Sequence, residues 1–300
     1  MSTPSLPDTS LLVVVNPLAG AIKGLDAALA VLRAGRRPVA VVELSDRRQV
    51  DELLRHVGSG TLVAAGGDGT LHLLVQQLWR LGLLSATTLG LLPLGTGNDL
   101  ARAVRIPLDP EAAAAAIVSG RPCLLDLLVD DAGTVAINAV HGGVGGAAVR
   151  SASRLKPVLG RLAYRLGAVW AGGRAPGWQL RVELDGRLLA EGRTLFVGIG
   201  NGSTIGGGTV LWPRAAPDDG LAEVVVAPAF GPLSRLRLLA ALRSGDVADA
   251  DGVVFGQGRS VGVRGQPIPY VLDGELSPPS SGRSWRIHPA AWRLLVPVEG

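Results

Sequence analysis

The sequence contains one cysteine, Cys123, in 300 residues. That excludes an intramolecular disulfide and a cysteine-based zinc site. Aromatic residues make up only 4% of the chain, which leaves little material for stacking nucleobases. Lysine is almost missing: of the 29 Lys and Arg, only Lys23 and Lys156 are Lys. The arginines are scattered, with Arg36–Arg37 and Arg47–Arg48 the only adjacent pairs, so no nucleic-acid partner is expected. No apolar run reaches the roughly 18 residues that a membrane-crossing helix needs. The first apolar run, Leu11 to Val15, stops at Asn16–Pro17, and no basic residue precedes Lys23. It does not read as a signal peptide, and a cytoplasmic protein is expected. Charged residues are few, at 18%, which excludes a disordered chain.

What is abundant points the same way. Hydrophobic residues make up 47%, enough for a sizeable core, while 42 Gly and 20 Pro would interrupt any long heptad run. The length suits one large or two modest domains. The net charge of +4 reflects either a composition rich in Ala, Gly and Arg or an attraction to anionic membrane or phosphate.

Along the first part of the chain, short apolar runs alternate with helical patterns. Strands are expected at Leu11–Val15, Val39–Leu44, Thr61–Ala65 and Thr88–Leu92. Helices are expected at Ile22–Ala34, Arg47–Val57, Leu71–Leu81, Asp99–Val104 and Glu111–Val118. That alternation implies βαβ units and a mostly parallel sheet. From about residue 122 the texture changes. Short runs at 123–129, 135–139, 179–184, 194–199, 221–227, 260–264 and 285–287 are separated by turn signals such as Asp185–Gly186. Only Arg154–Ala171 and Leu233–Leu242 read as helices there. The expectation is an α/β protein: a parallel-sheet domain, then a β-rich antiparallel domain, with a boundary near Arg121–Pro122.

Three glycine-bearing turns each follow a strand of the first domain: Asn16-Pro17-Leu18-Ala19-Gly20, Gly66-Gly67-Asp68-Gly69-Thr70 and Gly95-Thr96-Gly97-Asn98-Asp99. In a parallel sheet such turns share one edge, where ligands bind. Glycines admit a close ligand, and a following helix start adds positive potential, which together suit a phosphate. Neither a Walker A loop nor a Gly-x-Gly-x-x-Gly turn after the first strand is present.

GGDGT at 66–70 with LGLLPLGTGNDLAR at 89–102 resembles the diacylglycerol-kinase catalytic domain, in particular the YegS-type bacterial lipid kinases. The resemblance continues through INAVHGGVGG at 137–146, FVGIGNGSTIGGG at 196–208, PRAAPDDGL at 213–221 and LDGE at 272–275, and spans residues 11–297. It implies two domains with ATP in the cleft between them: a nucleotide-binding domain at 11–121, completed by 288–300, and a lipid-substrate domain at 122–287. It implies that Asn16, Gly67, Asp68, Gly69, Thr70, Thr96 and Asn98 contact the nucleotide or its magnesium. Asp273 and Glu275 would be the catalytic pair, with Asp273 favoured as base over Glu275. The implied activity is transfer of the ATP γ-phosphate to a hydroxyl of a diacylglycerol-like, phosphatidylglycerol-like or sphingoid lipid at the membrane surface. A soluble acceptor and a decayed, merely binding protein are the alternatives.

Asp218–Asp219–Gly220–Leu221 is either a tight turn or a metal loop. In the second case the Asp219 side chain and the carbonyls of Ala216 and Leu221 would offer oxygen to magnesium or calcium. The chain departs from the family pattern at Ala19, where Ser is usual, at His72 and Leu73, where Asn and Glu are usual, and at Leu44–Ser45, where a Thr is frequent. His72 reads first as a polar surface residue. His141 lies in a glycine-rich turn near the expected cleft. Residues 154–172 form either an interfacial helix or a core-packed one.

Overall fold

The computed structural model describes residues 10–16, 23–44, 50–51, 53–54, 60–144, 177–229, 231 and 252–298. Four parallel strands build its first part: β1 (Leu11–Val15), β2 (Val39–Glu43), β3 (Thr61–Gly66) and β4 (Thr88–Pro93). Their spatial order is β4-β3-β1-β2. Every residue of β1 and β3 is buried, as their unbroken apolar sequences require, whereas β2 lies at the edge and is half exposed.

The helices are α1 (Leu25–Ala34), α2 (Asp68–Arg80), α3 (Asp99–Ala103) and α4 (Pro110–Ser119). The Asp109 carboxylate caps α4 by accepting from Ala112 N at 2.9 Å, with Pro110 in the first turn. Helix α2 starts at Asp68, three residues before the expected Leu71, so Asp68, Gly69 and Thr70 form its first turn. Of the expected helix 47–57, residues 50, 51, 53 and 54 are described and are helical. The expected helices 154–171 and 233–242, and residues 17–20 of the first glycine turn, lie outside the described residues.

The second part is antiparallel, as its short runs and turn signals imply. Its strands are β5 (Arg121–Asp130), β6 (Val135–Ala136), β7 (Ala139–Gly143), β8 (Trp178–Leu184), β9 (Arg187–Gly200), β10 (Thr204–Ile205), β11 (Thr209–Val210), β12 (Ala222–Pro228), β13 (Val254–Gly258), β14 (Ser260–Ile268), β15 (Tyr270–Leu272), β16 (Glu275–Leu276) and β17 (Ser280–Val296). The run expected at 285–287 is thus the middle of a strand of 17 residues. β17 pairs antiparallel with β5, shifts register between His288 and Trp292, and then pairs parallel with β4 through Arg293 and Leu294. The last strand therefore joins the first sheet.

The expected boundary at Arg121–Pro122 falls on the start of β5, with no linker. Period-two alternation divides β5 between two cores. Leu125, Leu127 and Val129 pack with β1, β3 and β4, whereas Leu128 packs with Val140, Val197 and Trp285. The expected strand 135–139 is two strands, β6 and β7, with Ile137 and Asn138 between them. Those two residues leave the ladder because their amides have another acceptor, described next.

Candidate active site

The glycine turns lie side by side at the carboxyl ends of β3 and β4. A Cβ on Gly95 would sit 2.4 Å from the Gly67 Cα, so the two backbones abut and neither position has room for a side chain. Gly69 is exposed with nothing within 4 Å of where a Cβ would be, and it faces open space. Thr96 is exposed on the neighbouring turn, and Asn16 ends β1 on the same edge. The Thr70 hydroxyl is buried and has no hydrogen-bond partner. The hydroxyl lies against Gly66, where an added Cβ would collide with it, so that glycine makes room for the Thr70 side chain.

Asn98 serves the loop itself. It is buried at φ 53°, and its side-chain amide donates to the carbonyls of Pro93 at 2.9 Å and Gly95 at 3.0 Å. The Asp68 carboxylate accepts from Asp99 N at 3.2 Å and Leu100 N at 3.4 Å, which caps α3. Burial raises the Asp68 pKa; those two amides oppose the rise, and the charges of Asp99 and Asp273 add to it.

Asp99, which the sequence reading did not single out, joins the two halves. Its carboxylate accepts from Thr204 Oγ1 at 3.0 Å, Gly207 N at 3.0 Å and Gly208 N at 2.9 Å. The GTGND turn is thereby tied to the glycine-rich loop at 204–208. Its signal in the sequence is an acidic residue at a helix start directly after a Gly-Asn turn.

Asp273 sits at φ 46° in the turn between β15 and β16, followed by Gly274 at φ 92°. Both angles are left-handed, the conformation of a two-residue hairpin turn, and Asp tolerates it. The turn drives its side chain inward. Oδ1 accepts from Asn138 N and Ala139 N, each at 3.0 Å, and Oδ2 accepts from Ile137 N at 2.7 Å. His72 Nδ1 lies 2.8 Å from Oδ2. The Asp273 side chain is 0% exposed. His72 is itself buried, at 6% exposure, so the reading of it as a surface residue is corrected: its helix position faces the second half of the chain.

Glu275 has a different setting. It is exposed on β16, opposite Leu272. The catalytic pair of the sequence reading thus consists of one enclosed carboxylate and one open one. Leu73, where the family pattern has Glu, packs against the first core.

Two buried asparagines hold the segment that grips Asp273. Asn201 donates its side-chain amide to the carbonyls of Asp126 and Ile137, at 3.1 and 2.9 Å. Asn138 donates to Thr204 O at 2.8 Å, and its own carbonyl accepts from Asn201 N and Gly202 N.

The loop at 216–221 is a separate arrangement. Asp219 accepts from Leu221 N at 2.8 Å, and its backbone amide lies 3.5 Å from Ala216 O. Asp126 beneath it accepts from Gly220 N at 2.6 Å and Ala290 N at 2.8 Å. Burial raises the Asp219 pKa, and the charges of Asp126 and Asp218 add to the rise. Among the described residues no three His, Cys, Asp or Glu gather into a metal cage.

His141 packs its ring on Phe196, with centroids 5.9 Å apart, and its Nδ1 has no partner. Burial pulls its pKa from 6.5 to about 4. Between those values the unfolded chain binds a proton that the folded chain refuses. The contribution to stability is therefore complete above the unfolded pKa and is lost as pH falls toward the folded one, by about 3 kcal/mol in all. Denaturant titrations at about pH 7 and about pH 4.5 should show this loss in the wild type and a shallower one in His141→Phe. Equal losses in the two proteins would contradict it.

Comparison with known proteins finds two family matches along the chain. The diacylglycerol kinase catalytic domain matches residues 10–129, and the YegS C-terminal NAD kinase beta sandwich-like domain matches residues 138–296. A Pseudomonas aeruginosa (strain UCBPP-PA14) protein named "Probable lipid kinase YegS-like" is 37% identical, over 97% of this chain and 95% of its own. "Probable lipid kinase YegS" of Escherichia coli O17:K52:H18 is 31% identical, over 86% of this chain and 85% of its own. A crystal structure of a diacylglycerol kinase from Bacillus anthracis str. Sterne shares the fold, with a TM-score of 0.76 and 20% identity, over 96% of this chain and 97% of that one. With family matches across both halves and a third of its residues shared along nearly its whole length, the chain belongs to the YegS-like lipid kinases, built on a diacylglycerol kinase catalytic domain.

Proposed function

We propose that the chain is an ATP-dependent lipid kinase. It would transfer the γ-phosphate to a hydroxyl of a diacylglycerol-like, phosphatidylglycerol-like or sphingoid lipid. The observation that carries this reading is the meeting of Asp273 with α2. The helix that opens on the GGDGT turn hydrogen-bonds, through His72, the acidic residue of the DGE turn, which lies 201 positions later. A nucleotide held on the first edge and an acceptor held by the second half would therefore converge there.

Gly69, Thr70 and Thr96 would contact the phosphates, with Gly67 and Asn98 shaping the turns and Asn16 completing the edge. Asp68 supplies the carboxylate on the nucleotide side. Magnesium carried with the nucleotide would neutralise phosphate charge, and positioning would supply most of the remaining catalysis. Asp273 organises the acceptor side, and Glu275 stands open to solvent beside it. A magnesium or calcium ion on the Asp219 side chain and the Ala216 and Leu221 carbonyls is a second proposal, supported by the oxygen donors of that turn and by the charges of Asp126 and Asp218 that act on Asp219. Among the described residues no helix is long and apolar enough to cross a membrane, and the proposed kinase would meet its lipid by visiting a membrane surface from the cytoplasm.

ADP release tests the reading. MgATP turnover should rise when micelles carrying hydroxyl-bearing lipids are added, and should not rise with soluble alcohols or nucleotides. Stimulation by a soluble acceptor alone would replace the lipid reading. MgATP binding without turnover under any condition would make the chain a binding protein.

A further inference from the structure

Helix α2 grips the later chain along one stripe. His72, Gln76 and Trp79 are spaced four and three residues apart and so share a helix face. His72 Nδ1 lies 2.8 Å from Asp273, and the Trp79 ring meets His288 edge-on, with centroids 5.0 Å apart. Between them, Gln76 bonds one short stretch of backbone twice. Its Nε2 donates to Gly133 O at 3.2 Å, and its Oε1 accepts from Val135 N at 2.9 Å. A flipped carboxamide would set N–H against N–H and oxygen against oxygen, so the two partners fix its orientation.

These two bonds imitate a neighbouring strand. Among the described residues β6 pairs only with β5, which leaves its other edge open. In a parallel ladder, one residue donates to the carbonyl before its opposite number and accepts from the amide after it. The Gln76 carboxamide does the same on either side of Thr134. It thereby closes the β6 edge and fixes where the chain leaves it. The next residues, Ile137, Asn138 and Ala139, are those whose amides hold the Asp273 carboxylate. Asp273 in turn meets His72, one turn before Gln76 on the same helix. The contacts close on themselves: α2 holds the segment 133–139 directly through Gln76 and indirectly through His72 and Asp273.

We propose that Gln76 is a positioning residue for the acceptor side of the site. It fixes the segment 133–139 against the helix that opens on the GGDGT turn. Asp273 then keeps its place relative to the nucleotide edge while the hydroxyl and the γ-phosphate come together. Transfer between two separately held groups is sensitive to such placement, and a shift of about 1 Å can cost about 100-fold in rate. The proposal rests on the kinase reading and adds to it a residue that acts through the backbone.

Two variants test it. Gln76→Glu keeps the shape and makes the donor depend on pH. A neutral Glu donates to Gly133 O and accepts from Val135 N, as Gln does. An ionised Glu sets a charged oxygen against the Gly133 carbonyl and loses that bond, which raises its pKa above the usual value of about 4.3. The ratio of variant to wild-type kcat for the lipid acceptor should therefore rise severalfold as pH falls from about 8 to about 5.5, with the KM for MgATP within about twofold of wild type. The titratable groups on the two elements that meet here are Asp68, His72 and Arg80 on α2 and Asp130 and Asp131 at the β5–β6 turn. Both proteins carry them, so dividing by the wild type removes their own titration. Gln76→Met keeps the length and neither bond, and its kcat should fall by about 10- to 100-fold at every pH, again with little change in the KM for MgATP. A ratio for Gln76→Glu that is flat with pH, or a folded Gln76→Met with the wild-type kcat, would overturn the proposal and leave the kinase reading intact. If Gln76→Met failed to fold, the pH profile of Gln76→Glu would decide alone. A wild type that phosphorylates no hydroxyl acceptor would overturn the kinase reading, and this proposal with it.

Discussion

Asp273→Ala is expected to abolish phosphoryl transfer and to unfold the chain at far lower denaturant than the wild type. The substitution leaves three buried amides and one imidazole without their acceptor. Each orphaned donor costs about 1–3 kcal/mol, against a total stability of about 5–15 kcal/mol for a typical domain. Alanine also fits the φ of 46° poorly. Asparagine keeps one oxygen for Asn138 and Ala139 and tolerates the left-handed angle, so Asp273→Asn should fold with an intermediate loss. Urea melts should therefore rank wild type above Asn above Ala, with both variants inactive. An alanine variant as stable as the wild type would mean that the carboxylate does not organise this segment.

The second large effect is expected at Arg283. Its guanidinium forms an ion pair with the enclosed Asp130, donates to Ser277 Oγ at 2.9 Å and lies 5.9 Å from the ring centroids of both Tyr270 and Trp285. Ser277 N in turn bonds Tyr270 O, so Arg283 closes the hairpin that carries Asp273. Arg283→Met leaves a buried charge on Asp130, at a cost of about 3–5 kcal/mol. For a chain of this size that is a fall in Tm of about 10 °C. Adding Asp130→Asn removes the stranded charge and should restore part of the loss, because its side-chain oxygen can keep accepting from Ala132 N and Thr134 N, as the carboxylate Oδ1 does at 2.9 and 2.7 Å. A double variant no more stable than the single one would show that lost packing against the two rings, and not the charge, sets the effect.

How far the sequence carries the account differs from place to place. The parallel strands were legible because β1, β3 and β4 are unbroken apolar runs closed by glycine turns. The shared edge of GGDGT and GTGND followed from strand order alone. The length of β17 was not legible, because Gly282 and Pro289 interrupt its pattern and its register shift between His288 and Trp292 depends on its pairing with β5. The break at Ile137–Asn138 was not legible either, since its cause is a carboxylate 136 residues further on. His72 illustrates the same limit. Local pattern gives a polar residue on a new helix; only the return of the chain at 270–276 shows what it faces. Asn98 was legible as part of a turn, while its commitment to Pro93 and Gly95 depends on the turn's own curvature.

The most direct test of the lipid kinase account is to incubate the protein with γ-labelled ATP, magnesium and mixed micelles of candidate lipids, with Asp273→Asn alongside, and to follow the label into the organic extract. The account predicts label in one class of hydroxyl-bearing lipid with the wild type and none with the variant. Label that stays in the aqueous phase for every lipid, or that reaches lipid equally well with Asp273→Asn, would contradict it.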